Sequence, residues 1–277
     1  MDRNLRLQIF KKASLCRNFE ISVFNRIKKN IFKFPIYLSA GEEFIPATMS
    51  TLLEDKSPLL FAQHRAHSTY LCYGGDIVML IDELLGRKSG CSFGMGGSAS
   101  IQEKNIGMYG HDGLMGSQIP IAVGACIASK KLTVAIMGDA SFEEDYVMSS
   151  IAWAGTKKLP IIFVVEDNNL SILTEKKIRR NWDAHKFSDS VNVKGFNIDD
   201  SPESIYNILS STNIETPILL NVNTERLFWH AGAGIDNYEK IDRYKIEMYI
   251  LGKDAIEIHN ETKAYIEEIW EKRLEIQ

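Results

Sequence analysis

The chain has 277 residues, 45% hydrophobic and 25% charged, the composition of a folded, water-soluble protein long enough to bury a full core. Its net charge of -4 supplies no basic field, which argues against nucleic acid as the main partner. No apolar run approaches the ~20 residues that span a bilayer, so no membrane partner is expected. Cys16, Cys72, Cys91 and Cys126 show neither CxxC nor metal-ligand spacing and read as reduced, mostly buried thiols. The basic amino-terminal segment has no uninterrupted apolar stretch and no small-residue cleavage site. No secretory signal is therefore expected, and the location is read as cytoplasmic.

In chain order, a helix is predicted over residues 3–30, within an amino-terminal segment reaching 35, from Leu5, Phe10, Leu15, Phe19 and Ile27 at helical spacing. The Lys and Arg between them read as a solvated face. Gly41-Glu42-Glu43 opens a second helix running through the 40s and 50s, and residues 77–85 form another. Residues 86–97 are a glycine-rich loop of the kind that brings backbone N–H groups close to an anion. A second glycine cluster, 110–116, precedes a buried helix at 119–128. Then follow a strand ending at Met137, a helix near 144–155 and a strand at 161–165. Further strands are expected at 190–193, bounded by Gly195, and at 218–222. Residues 237–277 read as a charged helical tail with Ile256, Tyr265, Ile266, Ile269 and Trp270 as its apolar positions. Strands alternating with helices predict an α/β fold, a mainly parallel central sheet flanked by helices, with residues 1–277 as one domain.

Two strand ends carry the chemistry. Gly138-Asp139-Ala140 closes the run from Leu132 to Met137, and Asn168-Asn169 closes the run from Pro160 to Val165. Asp139 and Asn168 are 168−139 = 29 residues apart, about one strand–helix–strand unit, so both strand ends open at the same sheet edge. Open α/β sheets bind ligands at that edge. A carboxylate, a side-chain amide and a nearby backbone carbonyl are hard oxygen ligands suited to Mg²⁺ bound to a diphosphate. Taken alone, Gly-Asp and Asn-Asn are equally ordinary turn dipeptides.

Several further segments, in order, resemble the alpha subunit of the thiamine-diphosphate-dependent 2-oxo acid dehydrogenases. They are Cys16-Arg17-Asn18-Phe19-Glu20, Gly41-Glu42-Glu43, His64-Arg65-Ala66-His67, the stretch Gly86 to Ser92 with Gly96-Gly97-Ser98, and Gly113 to Pro120. The resemblance runs from about residue 5 to residue 250. It implies the thiamine-diphosphate-binding fold, with Asp139, Asn168 and the Leu170 carbonyl on Mg²⁺ and Gly138, Ala140 and Ser141 completing the loop beneath the diphosphate. Arg65 and Arg226 would contact the diphosphate, and His64 stands where the family usually has Tyr. Met115 would wedge between the two cofactor rings, although a core methionine fits that position as well, and the Gly113 carbonyl would accept from the 4′-amino group. His67 and His230 would orient or protonate the reacting species, or serve as ordinary hydrogen-bonded imidazoles. Glu144 would orient the Gly-Asp loop rather than bind metal.

The pattern also departs from the family. Met95 and Ser100 replace a lysine and a histidine, Ala231 replaces the regulatory serine after the loop histidine, and the loop at 229–236 is unusual. No second, pyrimidine-binding domain is evident, so the resemblance implies a separate beta subunit supplying the activating glutamate, in an α2β2 assembly. Two activities share this pattern. One decarboxylates a 2-oxo acid and passes the acyl unit to a lipoyl carrier protein. The other is a carboligase or split-transketolase-like reaction on an aldehyde, ketone or sugar substrate.

Overall fold

The computed structural model describes residues 1–231 and 240–276. Six parallel strands form the central sheet: β1 (Leu59–Phe61), β2 (Met108–Tyr109), β3 (Thr133–Gly138), β4 (Ile161–Asp167), β7 (Lys194–Asp199) and β8 (Ile218–Asn223). Their order is β2-β1-β3-β4-β8-β7. A short antiparallel pair, β5 (Leu170–Ser171) and β6 (Thr174–Glu175), follows β4. Strands β3, β4 and β8 are nearly continuous apolar runs because both of their faces are covered. Along β3 the side chains alternate, with Val134 and Ile136 entering one core and Ala135 and Met137 the other. The predicted α/β fold with a parallel central sheet is the fold observed.

One layer of helices comprises α1 (Arg3–Ile27), α2 (Phe44–Leu52), α3 (His67–Cys72), α4 (Ile77–Leu84) and α9 (Pro202–Ser211), with α10 (Arg243–Leu251) and α11 (Lys253–Leu274). The other layer holds α5 (Gln118–Ser129), α6 (Asp145–Lys157) and α8 (Ala184–Ser190); a single turn, α7 (Lys176–Arg179), follows β6. Caps explain several starts: Asp2 accepts from Leu5 N at 2.9 Å, and Asp76 accepts from Val78 N and Met79 N at 2.7 and 3.1 Å. Helix α11 lies along α1, where Trp270 is fully buried against Phe19, with Arg26 over its ring. Truncating a ring packed in this way costs about 3–5 kcal/mol. No described helix is long and apolar enough to cross a membrane.

The helical tail holds from Arg243 to Leu274, but its buried apolar positions are Tyr244, Leu251, Ala255, Ile266 and Trp270, while Ile256 and Tyr265 are half exposed. Residues 232–236 of the unusual loop and 237–239 of the expected tail lie outside the described residues. The strand expected at 190–193 is displaced: 184–190 is helix α8, and β7 starts at Lys194. Gly195 lies inside that strand because a Cβ there would meet the His185 carbonyl oxygen at 2.1 Å. Its role is close approach of strand to helix, not termination. All four cysteines are free and buried, as expected, with Cys16 and Cys72 Sγ atoms 3.4 Å apart.

Candidate functional site

The strand order places a switch point between β1 and β3, since the chain leaves β1 for β2 on one side and returns to β3 on the other. A crevice opens at the carboxyl ends of such strands. A cavity of about 350 Å³ lies there, within the usual size range of small-molecule sites. It draws His64 and Arg65 from beyond β1, Gly138 to Ser141 from the end of β3, Asn168 and Leu170 from β4 and β5, and Arg226 and His230 from beyond β8. Gly113 and Met115 close it from the second glycine cluster. A wider groove of about 620 Å³ between α1 and α11 contains none of these residues.

Asp139 is 2% exposed and pairs with the Arg179 guanidinium, while its backbone carbonyl accepts from Arg180 Nη1 at 2.7 Å. Burial raises the Asp139 carboxyl above the ordinary range, and Arg179 opposes that rise. Glu143 accepts from both arginines, so the two guanidiniums bridge the Gly-Asp loop to its own helical turn. Asn168 forms an Asx turn, its Oδ1 accepting from Leu170 N at 3.1 Å, and its Nδ2 donates to Glu42 Oε1 at 3.0 Å. The left-handed Asn169 (φ 64) lets the chain reverse there. Asp139, Asn168 and Leu170 all line this cavity, and Asp139 and Asn168 stand at the same sheet edge, as their 29-residue spacing predicts.

The same cavity carries cationic side chains. Arg65 and Arg226 are 4% and 1% exposed, and both address the same nitrogen, His230 Nδ1, at 3.0 and 3.2 Å. A nitrogen facing two guanidinium donors must accept, so His230 is assigned as neutral with its proton on Nε2. Arg65 also donates to the Leu38 carbonyl at 2.9 Å and approaches His64 Nε2 at 3.4 Å. Burial, reinforced by Arg65, pulls His64 well below the usual imidazole range. Burial likewise lowers Arg65, against the support of Glu42, whose carboxylate is 3.8 Å away. Two desolvated guanidiniums and neutral imidazoles at a cavity wall suit an anionic ligand.

Met115 is 46% exposed, so it is a cavity residue and not a core methionine, and its carbonyl accepts from the Tyr146 hydroxyl. Gly113 has φ +100, and a Cβ there would meet nothing within 4 Å, which leaves its backbone open to approach. Glu144 starts α6 without a side-chain cap bond. His67, expected at the reaction centre, does not line the cavity. It opens α3, which turns the ring inward, with Nδ1 2.7 Å from Glu20 Oε1 and Nε2 2.9 Å from Ser98 Oγ. The loop at 86–97 also differs from expectation. Its N–H groups at Ser92, Gly94, Gly96 and Gly97 are taken by the Glu83 carboxylate at 2.7 to 3.0 Å, so the protein supplies that loop's anion itself.

Tyr37, Gln63, Ala99, His111, Ser171 and Ile172 also line the cavity, and none of them is singled out as a site residue from the sequence. His111 is a lone histidine beside a glycine, with no spacing pattern to distinguish it.

The chain matches the sequence profile described as "Dehydrogenase E1 component" over residues 11–207. It is 31% identical over 173 residues to "Pyruvate dehydrogenase E1 component subunit alpha-1, mitochondrial" of Oryza sativa subsp. japonica, covering 61% of this chain and 44% of that protein. The alpha subunit of Pisum sativum is similar at 31% identity, with 43% of its length covered. "Pyruvate dehydrogenase E1 component subunit alpha" of Rickettsia felis is 26% identical over 289 residues, covering 98% of this chain and 88% of that protein. The chain thus aligns with less than half the length of the plant relatives. With a profile match spanning well over half of its residues, the chain belongs to the dehydrogenase E1 component family.

Proposed function

We propose that this chain is the diphosphate-holding alpha subunit of a thiamine-diphosphate- and Mg²⁺-dependent enzyme that decarboxylates a 2-oxo acid. The observation that carries the reading is the convergence, on one cavity, of the Asp139, Asn168 and Leu170 oxygen donors with two buried arginines. The donor set fits a metal–diphosphate pair and not a metal alone. Among the described residues no cluster of three or more His, Cys, Asp or Glu is placed to hold an ion. Mg²⁺ held by one carboxylate needs phosphate oxygens to complete its octahedron.

In this reading Asp139, Asn168 and the Leu170 carbonyl hold Mg²⁺, with Arg65 and Arg226 on the phosphoryl charge. Gly138, Ala140 and Ser141 form the loop beneath the diphosphate, and His64 adds a neutral donor. Gly113 and Met115, both lining the cavity, would hold the cofactor's ring end, with the Gly113 carbonyl as an acceptor and the Met115 side chain as an apolar support. Thiamine diphosphate, if held there, would supply a carbon nucleophile and an electron sink for decarboxylation. His230, proton on Nε2, orients the substrate oxygen by donating a hydrogen bond. His67 acts at one remove, holding Ser98 and the start of α3 in place.

Among the described lining residues Asp139 is the sole carboxylate, and it sits at the metal end. In this reading the glutamate that activates the aminopyrimidine comes from a separate beta subunit, as the family resemblance implies, in an α2β2 assembly that passes the acyl unit to a lipoyl carrier. Exposed apolar side chains beside the cavity, Leu114 at 66% and Leu173 at 55%, support a partner surface there. Co-expression with a candidate beta chain tests the reading. The assay is ferricyanide reduction on a panel of 2-oxo acids, expected to require both Mg²⁺ and thiamine diphosphate. Acyloin formation with an added aldehyde, and no ferricyanide reduction, would transfer the assignment to carboligation.

A further inference from the structure

Glu42 precedes α2, is 1% exposed and does not line the cavity, yet its carboxyl group meets two residues that do. Oε1 accepts from Asn168 Nδ2 at 3.0 Å, and Oε2 stands 3.8 Å from Arg65 Nε. A glutamate is rarely buried to this degree without a specific partner. The turn that carries it is clamped to the segment beyond β8. Glu42 N donates to the Ser39 carbonyl at 3.1 Å, the Leu227 N–H to the Ala40 carbonyl at 2.9 Å, and the Thr224 hydroxyl to the Gly41 carbonyl at 3.2 Å. At Gly41, with φ +101, a Cβ would meet the Glu225 carbonyl oxygen at 1.9 Å. Only glycine lets the two segments approach so closely, and Glu42 is thereby held in place.

The two ends of an asparagine amide have the same shape and opposite chemistry. In Asn168 the nitrogen is committed to Glu42, while Oδ1 accepts from Leu170 N at 3.1 Å and keeps a second lone pair. Reversing the amide would set its NH₂ against the Leu170 N–H and its oxygen against the Glu42 carboxyl oxygen, losing both bonds. It would also offer N–H hydrogens to any cation, and Mg²⁺ takes oxygen ligands. Burial raises the Glu42 carboxyl, and Arg65 opposes that rise. The bond to Asn168 needs only an acceptor oxygen, which the carboxyl group offers in either protonation state.

We propose that Glu42 is a positioning residue of this cavity: by committing the Asn168 amide nitrogen it leaves the amide oxygen as the end available to Mg²⁺. This rests on the reading of the cavity as a site for a Mg²⁺–diphosphate pair. Glu42 touches neither metal nor phosphate and acts through Asn168.

The test measures by calorimetry the Mg²⁺ concentration that half-saturates binding of thiamine diphosphate and, separately, of inorganic pyrophosphate. Glu42→Leu is expected to raise that concentration about tenfold for both ligands, and Glu42→Gln, which keeps an acceptor oxygen, to recover most of the loss. In an Asn168→Asp background both ends of the side chain are oxygens, and Glu42 faces a like charge. There Glu42→Gln is expected to lower the Mg²⁺ requirement a few-fold, the opposite sign from its effect beside Asn168. Thermal melting without ligand identifies a Leu variant that fails to fold, and the Gln comparison in the two backgrounds then carries the test. An unchanged Mg²⁺ requirement in Glu42→Leu overturns the proposal. Equal losses in the Leu and Gln variants also overturn it, because they trace the effect to the charge beside Arg65. So does the same response to Glu42→Gln in both backgrounds. If wild type binds pyrophosphate but not thiamine diphosphate, the cofactor reading fails while the pyrophosphate arm still decides on Glu42; binding of neither overturns both.

Discussion

Two glycine-rich regions of this molecule look alike in sequence and end in opposite ways. In the loop at 86–97 four converging N–H groups close on Glu83, a fully buried carboxylate from α4. Gly113, in the second glycine cluster, and Gly138 to Ser141, at the end of β3, instead border a cavity that Arg65 and Arg226 also line. The first region has its anion built in and is a brace; the second opens onto a cavity walled by cationic side chains. A glycine-rich loop thus becomes a ligand site only where the chain does not already satisfy it.

The largest expected effect falls on the brace. Glu83→Gln removes a carboxylate that satisfies four N–H groups and should destabilise the protein by at least about 3 kcal/mol. Chemical denaturation measures that loss, and cofactor affinity per folded molecule should be retained. A stable variant with impaired binding would reverse the assignment of the two regions.

A smaller effect sharpens the description of the cavity. Arg179 pairs with Asp139 in this structure and also donates to Glu143, which is placed to receive it when Mg²⁺ arrives. Arg179→Ala should therefore tighten Mg²⁺-dependent cofactor binding a few-fold, since a competing cation is removed from a buried carboxylate. Weaker binding in that variant would show that Arg179 positions Asp139 instead of competing for it.

The smallest effect concerns pH. Burial pushes the Glu43 carboxyl up to about 7, although Arg17, 2.5 Å away, draws it down. A carboxyl raised in the folded state contributes stability that is present in full below its unfolded pKa of about 4.3 and is lost as pH rises through 7. Glu43→Gln should accordingly lose less thermal stability than wild type between pH 5 and pH 8. Arg17 keeps its Asp242 partner, at 2.8 and 2.9 Å, in that variant. Parallel melting curves across this range would contradict the direction assigned to Glu43.

The parts of the cavity legible in the sequence were those set by one local unit. Asp139 follows β3 and is joined to Asn168 by α6 and β4, so their spacing alone brought them to the same edge. Arg65, Arg226, Gly113 and Met115 came from family resemblance, because no local rule links residues that only the sheet order assembles. His67 matched the same motif as Arg65, yet the start of α3 turns its ring into the protein, a change of direction two residues along that no motif spacing encodes. Glu83 was not legible for a similar reason: a helical carboxylate carries no sign of the loop it will fill. Strands β1 and β2, of three and two residues, were too short for any periodicity to reveal. Strand β7 lacked one because it is a partly exposed edge strand with a glycine inside.

The most direct test of the central claim is calorimetric titration of thiamine diphosphate into wild type and Asp139→Ala, each with Mg²⁺ and with a chelator. The account predicts binding by wild type only when Mg²⁺ is present, and none by the variant in either condition. Undiminished binding by Asp139→Ala, or wild-type binding indifferent to Mg²⁺, would contradict it.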